Sequence, residues 1–135
     1  MKVFPYSEIK SLARLNDFIV IEQFGKDDFI FRKEDPNENE KNEVLRGLMK
    51  AEEKMLSGEF DIIVLDEICV SIYFKLFSEK DVLDFIDKKP DNVELILTGR
   101  YCPKSIIEKA DLVSSIEEVK HYYTQGVLSR KGIDS

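Results

Sequence analysis

Two short apolar runs, each closed abruptly by polar residues, constrain this chain more than any other feature. Phe60-Asp61-Ile62-Ile63-Val64-Leu65 stops at Asp66-Glu67, and Val93-Glu94-Leu95-Ile96-Leu97 stops at Thr98-Gly99-Arg100. Runs of this length and kind suit strands buried on both faces of a parallel sheet. Helical patterns surround them. Val44, Leu45, Leu48, Met49, Ala51 and Leu56 recur at helical spacing over 43–56 and read as a core stripe, with Ser57-Gly58 as a stop. Ser78 reads as an N-cap, with Asp81 as an acidic capping-box partner ahead of Val82, Leu83, Phe85 and Ile86. A helix or turn over 68–76 and a short helix over 103–110 complete that set.

Outside this centre the sequence predicts a helix through Ile9, Leu12 and Leu15, a strand over 18–24, a third buried strand over 112–116 and an amphipathic tail over 117–128. Residues 26–42 read as a long loop interrupted by Phe29, Ile30 and Phe31. Structureless segments longer than about 12–15 residues are commonly functional or disordered. Two phenylalanines make this one a candidate binding loop. Alternating helices and buried strands give an α/β fold, a largely parallel sheet with flanking helices, in one domain over 1–135. Ligands in such sheets bind beyond the carboxyl ends of the strands, which places Asp66-Glu67 and Thr98-Gly99-Arg100 at the expected site.

Composition excludes several alternatives. A hydrophobic content of 43% with 35% charged residues is that of a globular chain, neither a disordered tail nor a fibre. The net charge of −7 argues against a nucleic-acid partner, which needs a clustered basic face. No apolar run approaches the roughly 20 residues that cross a bilayer, and no secretion leader is visible, so a cytoplasmic, membrane-free protein is expected. Cys69 and Cys102 lack a ligand at metal-binding spacing and read as packing thiols.

Ile63-Val64-Leu65-Asp66-Glu67 has the Walker B pattern of nucleotide-binding proteins. Mg²⁺ prefers oxygen ligands, commonly one or two carboxylates plus substrate phosphates. Asp66 would bind the ion directly or through water, and Glu67 would assist; a solvated strand end is the plain alternative. Arg100 has the planar fork that suits a phosphate or carboxylate, or it forms a surface salt bridge. A Walker A loop, G-x-x-x-x-G-K-[ST], would supply the amide cradle and lysine for ATP. None of the six glycines makes one. As written, the sequence holds half of a nucleotide site.

At this point the residues resemble the P-loop ATP:corrinoid adenosyltransferases. The resemblance rests on Val64-Leu65-Asp66-Glu67-Ile68, Ile96-Leu97-Thr98-Gly99-Arg100 and Ile107 to Val113. The tail blocks Glu118-Val119-Lys120-His121-Tyr122-Tyr123, Gln125-Gly126-Val127 and Lys131-Gly132-Ile133-Asp134 complete it. Tyr6-Ser7-Glu8 is similar to the family's N-G-E element, and Phe24-Gly25 through Phe31 to its aromatic corrinoid loop. The resemblance implies a RecA-like P-loop fold and a transferase that moves adenosyl from ATP, with Mg²⁺, to the Co(I) of a corrinoid. It also implies a homodimer and a flavin-type electron-donor protein. Asp66 and Glu67 match the metal-binding and catalytic strand end. Arg100 matches a nucleotide- or corrinoid-contacting arginine, and Lys120 and His121 a tail motif near the substrate. For His121 a plain hydrogen bond at a helix end is the alternative. Phe29 and Phe31 match the aromatic pair that displaces the lower axial ligand of cob(II)alamin; a hydrophobic staple holding the loop is the other reading. Where the family often has tryptophan at the second position, this chain has Phe31.

The family's domain begins with a strand, the Walker A loop, a helix and a second strand, and Met1-Lys2 resembles the end of that unit. The sequence therefore reads as a family domain starting about 30 or more residues late, either through a displaced start or as a natural remnant. The central strand of the family sheet belongs to that unit. Without it the expectation is open strand edges, a changed strand order or burial in an oligomer, and weak ATP binding. A non-catalytic corrinoid-binding or assembly module is the alternative function.

Overall fold

The computed structural model describes residues 7–25 and 35–130. Phe29 and Phe31 lie outside the described residues, as does most of the predicted loop. In chain order the elements are helices α1 (Ser7–Leu12) and α2 (Glu38–Leu56), strand β1 (Ile62–Leu65), helices α3 (Ile68–Tyr73) and α4 (Glu79–Ile86), strand β2 (Glu94–Leu97) and helix α5 (Lys104–Lys109). Tight 3-10 turns occupy Ala13–Leu15 and Tyr122–Gln125. The described residues fall into two compact units, one of 23–25 with 35–110 and one of 7–22 with 111–130.

In the first unit β1 and β2 pair in parallel, with Ile62 opposite Glu94 and Leu65 opposite Leu97. The mixed helix and strand content and the parallel pairing are those of an α/β fold. Burial on both faces does not hold: Ile63 is buried, whereas its neighbours Ile62 and Val64 are each 54% exposed. With two strands, helices cover one face, and alternation along the strand sends every second apolar residue to the other. Among the described residues each strand has one hydrogen-bonded neighbour.

Two helices of this unit, α2 and α4, start where side chains satisfy their orphaned amides. Ser78 and Asp81 close the predicted capping box on α4. The sequence reading missed the same device on α2, where Asn37 Oδ1 accepts from Glu40 N at 3.1 Å and Glu40 Oε2 from Asn37 N at 2.9 Å. This cap starts the helix at Glu38 and not Glu43, so the predicted loop over 26–42 ends at Asn37. Its polar first turn, Glu38-Asn39-Glu40, hides it from an apolar-periodicity reading. Within α2, Val44, Leu48 and Met55 are buried while Leu45, Met49 and Leu56 are exposed, so the core stripe is narrower than expected. Gly47 is needed for close approach: a Cβ there would fall 2.6 Å from Cγ of Phe24. Met55, Val82, Phe85 and Val93, none more than 1% exposed, centre the core between these helices and the sheet.

In the second unit α1 runs on into the 3-10 turn, as the Ile9, Leu12 and Leu15 pattern predicts, and Phe18 N and Ile19 N both donate to Leu15 O. The strands predicted over 18–24 and 112–116 are absent: none of these residues pairs in a ladder. β-branched composition supplies propensity, but a strand exists only with a neighbour to take its backbone hydrogen bonds. Phe18, Leu112 and Ile116 are 86%, 86% and 96% exposed.

Candidate functional site

In-register parallel pairing brings the two polar strand ends side by side. Leu65 faces Leu97, so the next residues, Asp66 and Thr98, emerge together, and Thr98 N extends the ladder to Leu65 O at 3.2 Å. The Thr98 hydroxyl donates to Asp66 Oδ1 at 2.7 Å and accepts from Glu67 N at 2.9 Å. A hydroxyl has one proton, and here it is committed to Asp66. That contact fixes the carboxylate and leaves Oδ2 without a protein partner among the described residues.

Glu67 follows with φ +59° and ψ +23°, the left-handed region that a non-glycine residue enters at a cost. The kink ends β1 and starts α3 within two residues. Its carbonyl accepts from Ser71 N and Ser71 Oγ, at 3.1 and 3.0 Å. The Glu67 carboxylate makes no hydrogen bond or ion pair among the described residues.

After β2 the chain presses onto α3. Cys69 N donates to Thr98 O at 3.2 Å, and a Cβ on Gly99, whose φ is +125°, would meet both Cys69 Cβ and Val70 N at 3.1 Å. Glycine is therefore required at that position. Burial, then the neighbouring Cys102 thiol, pushes the Cys69 pKa up to about 12. Both cysteines pack with the core, as the sequence reading held. Tyr101, between Gly99 and Cys102, has φ +61°, and its ring stacks on Tyr73 with centroids 4.2 Å apart and planes at 26°. Arg100 is exposed and has no ion pair among the described residues, unlike the surface salt bridge offered as its plain alternative.

Of the sequence-predicted site residues, the structure joins Asp66 and Glu67 through Thr98 and puts Arg100 in the turn two residues beyond that threonine. Lys120 and His121 belong to the second unit, where both are exposed. His121 Nδ1 accepts from Tyr123 N at 3.0 Å and its carbonyl from Thr124 Oγ1 at 2.7 Å, so the side chain caps the Tyr122–Gln125 turn. Nδ1 is thus engaged as an acceptor, which leaves Nε2 as the proton-bearing nitrogen in the neutral ring.

The bridging role of Thr98 was missed, although register was the signal for it: a threonine one position past a strand faces the acid one position past its neighbour. Nothing in spacing pointed to Tyr73 and Tyr101. Among the described residues no group of three or more His, Cys, Asp or Glu side chains is gathered to hold a metal. Asp66 Oδ2 and the Glu67 carboxylate are oxygen donors of the kind that suits a hard cation bringing phosphates with it. No helix of the described residues is long and apolar enough to cross a membrane.

Comparison with known proteins supplies a family. The family described as ATP:corrinoid adenosyltransferase BtuR/CobO/CobP matches residues 1–135. The corrinoid adenosyltransferase of Escherichia coli (strain K12) is 31% identical over 84 residues, 62% of this chain and 43% of the relative. The corrinoid adenosyltransferase CobA of Salmonella typhimurium (strain LT2) is 34% identical over 74 residues, 55% of this chain and 38% of that one. A Sinorhizobium sp. corrinoid adenosyltransferase is 30% identical over 86 residues, 63% and 40%. The matches span about two fifths of the length of these relatives.

Proposed function

The chain belongs to the ATP:corrinoid adenosyltransferase family, and from that premise we propose that it carries the strand-end and corrinoid-handling parts of an enzyme that passes adenosyl from ATP to the Co(I) of a corrinoid and releases triphosphate. The observation that supports this most is the Thr98 clamp, which holds Asp66 Oδ1, leaves Oδ2 without a protein partner among the described residues and accepts from the backbone N–H of Glu67. Asp66, assisted by Glu67, would hold Mg²⁺, which when bound neutralises the triphosphate leaving group. Arg100 presents a bidentate fork for phosphate or corrinoid. Phe29 and Phe31 match the family's aromatic pair, whose role would be an apolar wedge that offers cobalt no ligand and excludes water. Lys120 and His121 match the family's tail motif near the substrate.

The same reading carries a RecA-like P-loop fold in a single domain over 1–135, a homodimer, a cytoplasmic setting and a flavin-type electron-donor protein. Its test is a cob(II)alamin titration followed by visible absorption. The protein is expected to move the spectrum toward the four-coordinate form, and Phe31→Ala to weaken that response. No shift in either removes the aromatic-loop role. Transfer from MgATP is expected to be impaired, since none of the six glycines makes a Walker A loop, and Asp66→Asn should abolish what remains while leaving the cob(II)alamin shift intact. A chain that shifts the spectrum yet transfers no adenosyl under any MgATP concentration is the binding module instead.

A further inference from the structure

The loop after β2 follows one face of α3. Cys69 and Tyr73 are four residues apart, hence on the same face of the helix. Cys102 contacts the first and Tyr101 the second, while Gly99 closes against Cys69 and Val70. Cys69 is buried and Cys102 half-buried, and both pack with the core. The tyrosines are more open: Tyr73 is 55% exposed and Tyr101 62%.

Two features of Tyr101 are unfavourable for folding alone. A bulky L residue occupies the left-handed region, where glycine or asparagine is at ease. Its large aromatic face is left in water. Tyr73 has ring neighbours in Phe74, edge-on at 5.3 Å, and in Tyr101, whereas Tyr101 has the single ring neighbour Tyr73 among the described residues. The stack therefore ends in an open π-face. It stands on the loop that carries the unpaired Arg100, at the strand ends where Asp66 Oδ2 and the Glu67 carboxylate are free.

A ligand matched to these groups has a flat aromatic ring for the tyrosine face, an anion for the arginine and a cation-binding tail for the carboxylates. We propose that Tyr101, backed by Tyr73, is a stacking shelf for the purine base of a nucleoside triphosphate. The corrin macrocycle fits the shelf poorly, since its periphery is largely saturated and bristles with side chains. The inference rests on the nucleotide part of the function proposed above and names the residues that position the base.

The test uses the full chain with ¹³C-labelled tyrosine rings, read by NMR, with adenosine, MgATP and tripolyphosphate as separate probes. Adenosine and MgATP are expected to shift the Tyr101 and Tyr73 ring signals, and tripolyphosphate to leave them in place. Tyr101→Phe should bind adenosine like the parent. Tyr101→Gly and Tyr101→Asn, which keep the left-handed backbone, should weaken adenosine binding roughly 5- to 10-fold. Unmoved tyrosine signals at saturating adenosine, or undiminished adenosine affinity in both ring-deleted variants, overturn the shelf. The cob(II)alamin response separates the two proposals. A spectral shift with silent tyrosines defeats the shelf alone. Shifted tyrosines without a cob(II)alamin response defeat the corrinoid reading and leave the shelf as a nucleotide site.

Discussion

Val93-Glu94-Leu95-Ile96-Leu97 and Leu112-Val113-Ser114-Ser115-Ile116 are similar as text and opposite as structure. The first lies in the unit of α2–α5, with Val93 fully buried and the following residues paired to β1. The second pairs in no ladder, with Leu112 86% and Ile116 96% exposed. No residue of the second unit whose burial is described is buried. An apolar run is thus an opportunity for a strand; its realisation depends on a neighbour that accepts its hydrogen bonds and a helix that covers one face. The first unit has both, in β1 and in the buried faces of α2 and α4.

The comparison breaks most visibly at Phe85, which is 1% exposed at the centre of the first unit's core. Phe85→Ala is expected to cost about 3–5 kcal/mol in urea unfolding, the sum of lost transfer energy and an unfilled cavity. A loss below about 1 kcal/mol would mean that the first unit is as loosely covered as the second. Thr98→Val comes next. It keeps the volume but strands Glu67 N–H and frees Asp66, at about 1–3 kcal/mol for a partly buried donor left unmade. Stability and metal-dependent phosphate binding should fall together in this variant, because one hydroxyl serves both.

The chain's legibility follows the same division. β1, β2 and α4 are readable because their signals are local: an apolar run with a polar stop, or a serine followed three residues later by an acid, whereas 68–76 reads only as helix or turn. The start of α2 is equally local, in Asn37 and Glu40, but is masked by the absence of apolar residues in its first turn. The strand ends as a site are readable from topology, since a parallel sheet presents its carboxyl ends to ligands. Thr98 bridging to Asp66 needs the register, which no single segment contains. The tyrosine stack needs the path of a loop across α3, which only the packed structure supplies. The unpaired fate of 18–24 and 112–116 is the reverse case, in which local propensity is strong and the long-range partner decides.

Alkaline pH sharpens the contrast between covered and uncovered groups. Burial and the Cys102 contact raise the Cys69 pKa to about 12 in the folded chain, against about 8.5 for an unperturbed thiol. In that interval the unfolded chain binds fewer protons, so stability is held below about pH 8.5 and declines as pH rises toward 12. The measurement is the difference in urea midpoint between the parent and Cys69→Ala across pH 8 to 10.5, with the parent expected to lose more. Equal slopes would show a thiol as open to water as the second unit's side chains.

The smallest expected effect is the most informative about the second unit. Ile116 is 96% exposed, so truncating it changes almost no buried apolar area, and the hydrophobic contribution scales with that area. Ile116→Ala should leave the urea midpoint within about 0.5 kcal/mol of the parent. A loss above about 1 kcal/mol would require the side chain to be covered in solution. Two kinds of cover differ in their concentration dependence: a partner copy stabilises by mass action, so its contribution shrinks on dilution, whereas cover from the same chain does not. Repeating the pair of unfolding curves at tenfold lower protein therefore assigns any cost that is found. A cost that fades on dilution identifies a second copy over 112–116, and one that persists identifies a strand partner within the chain.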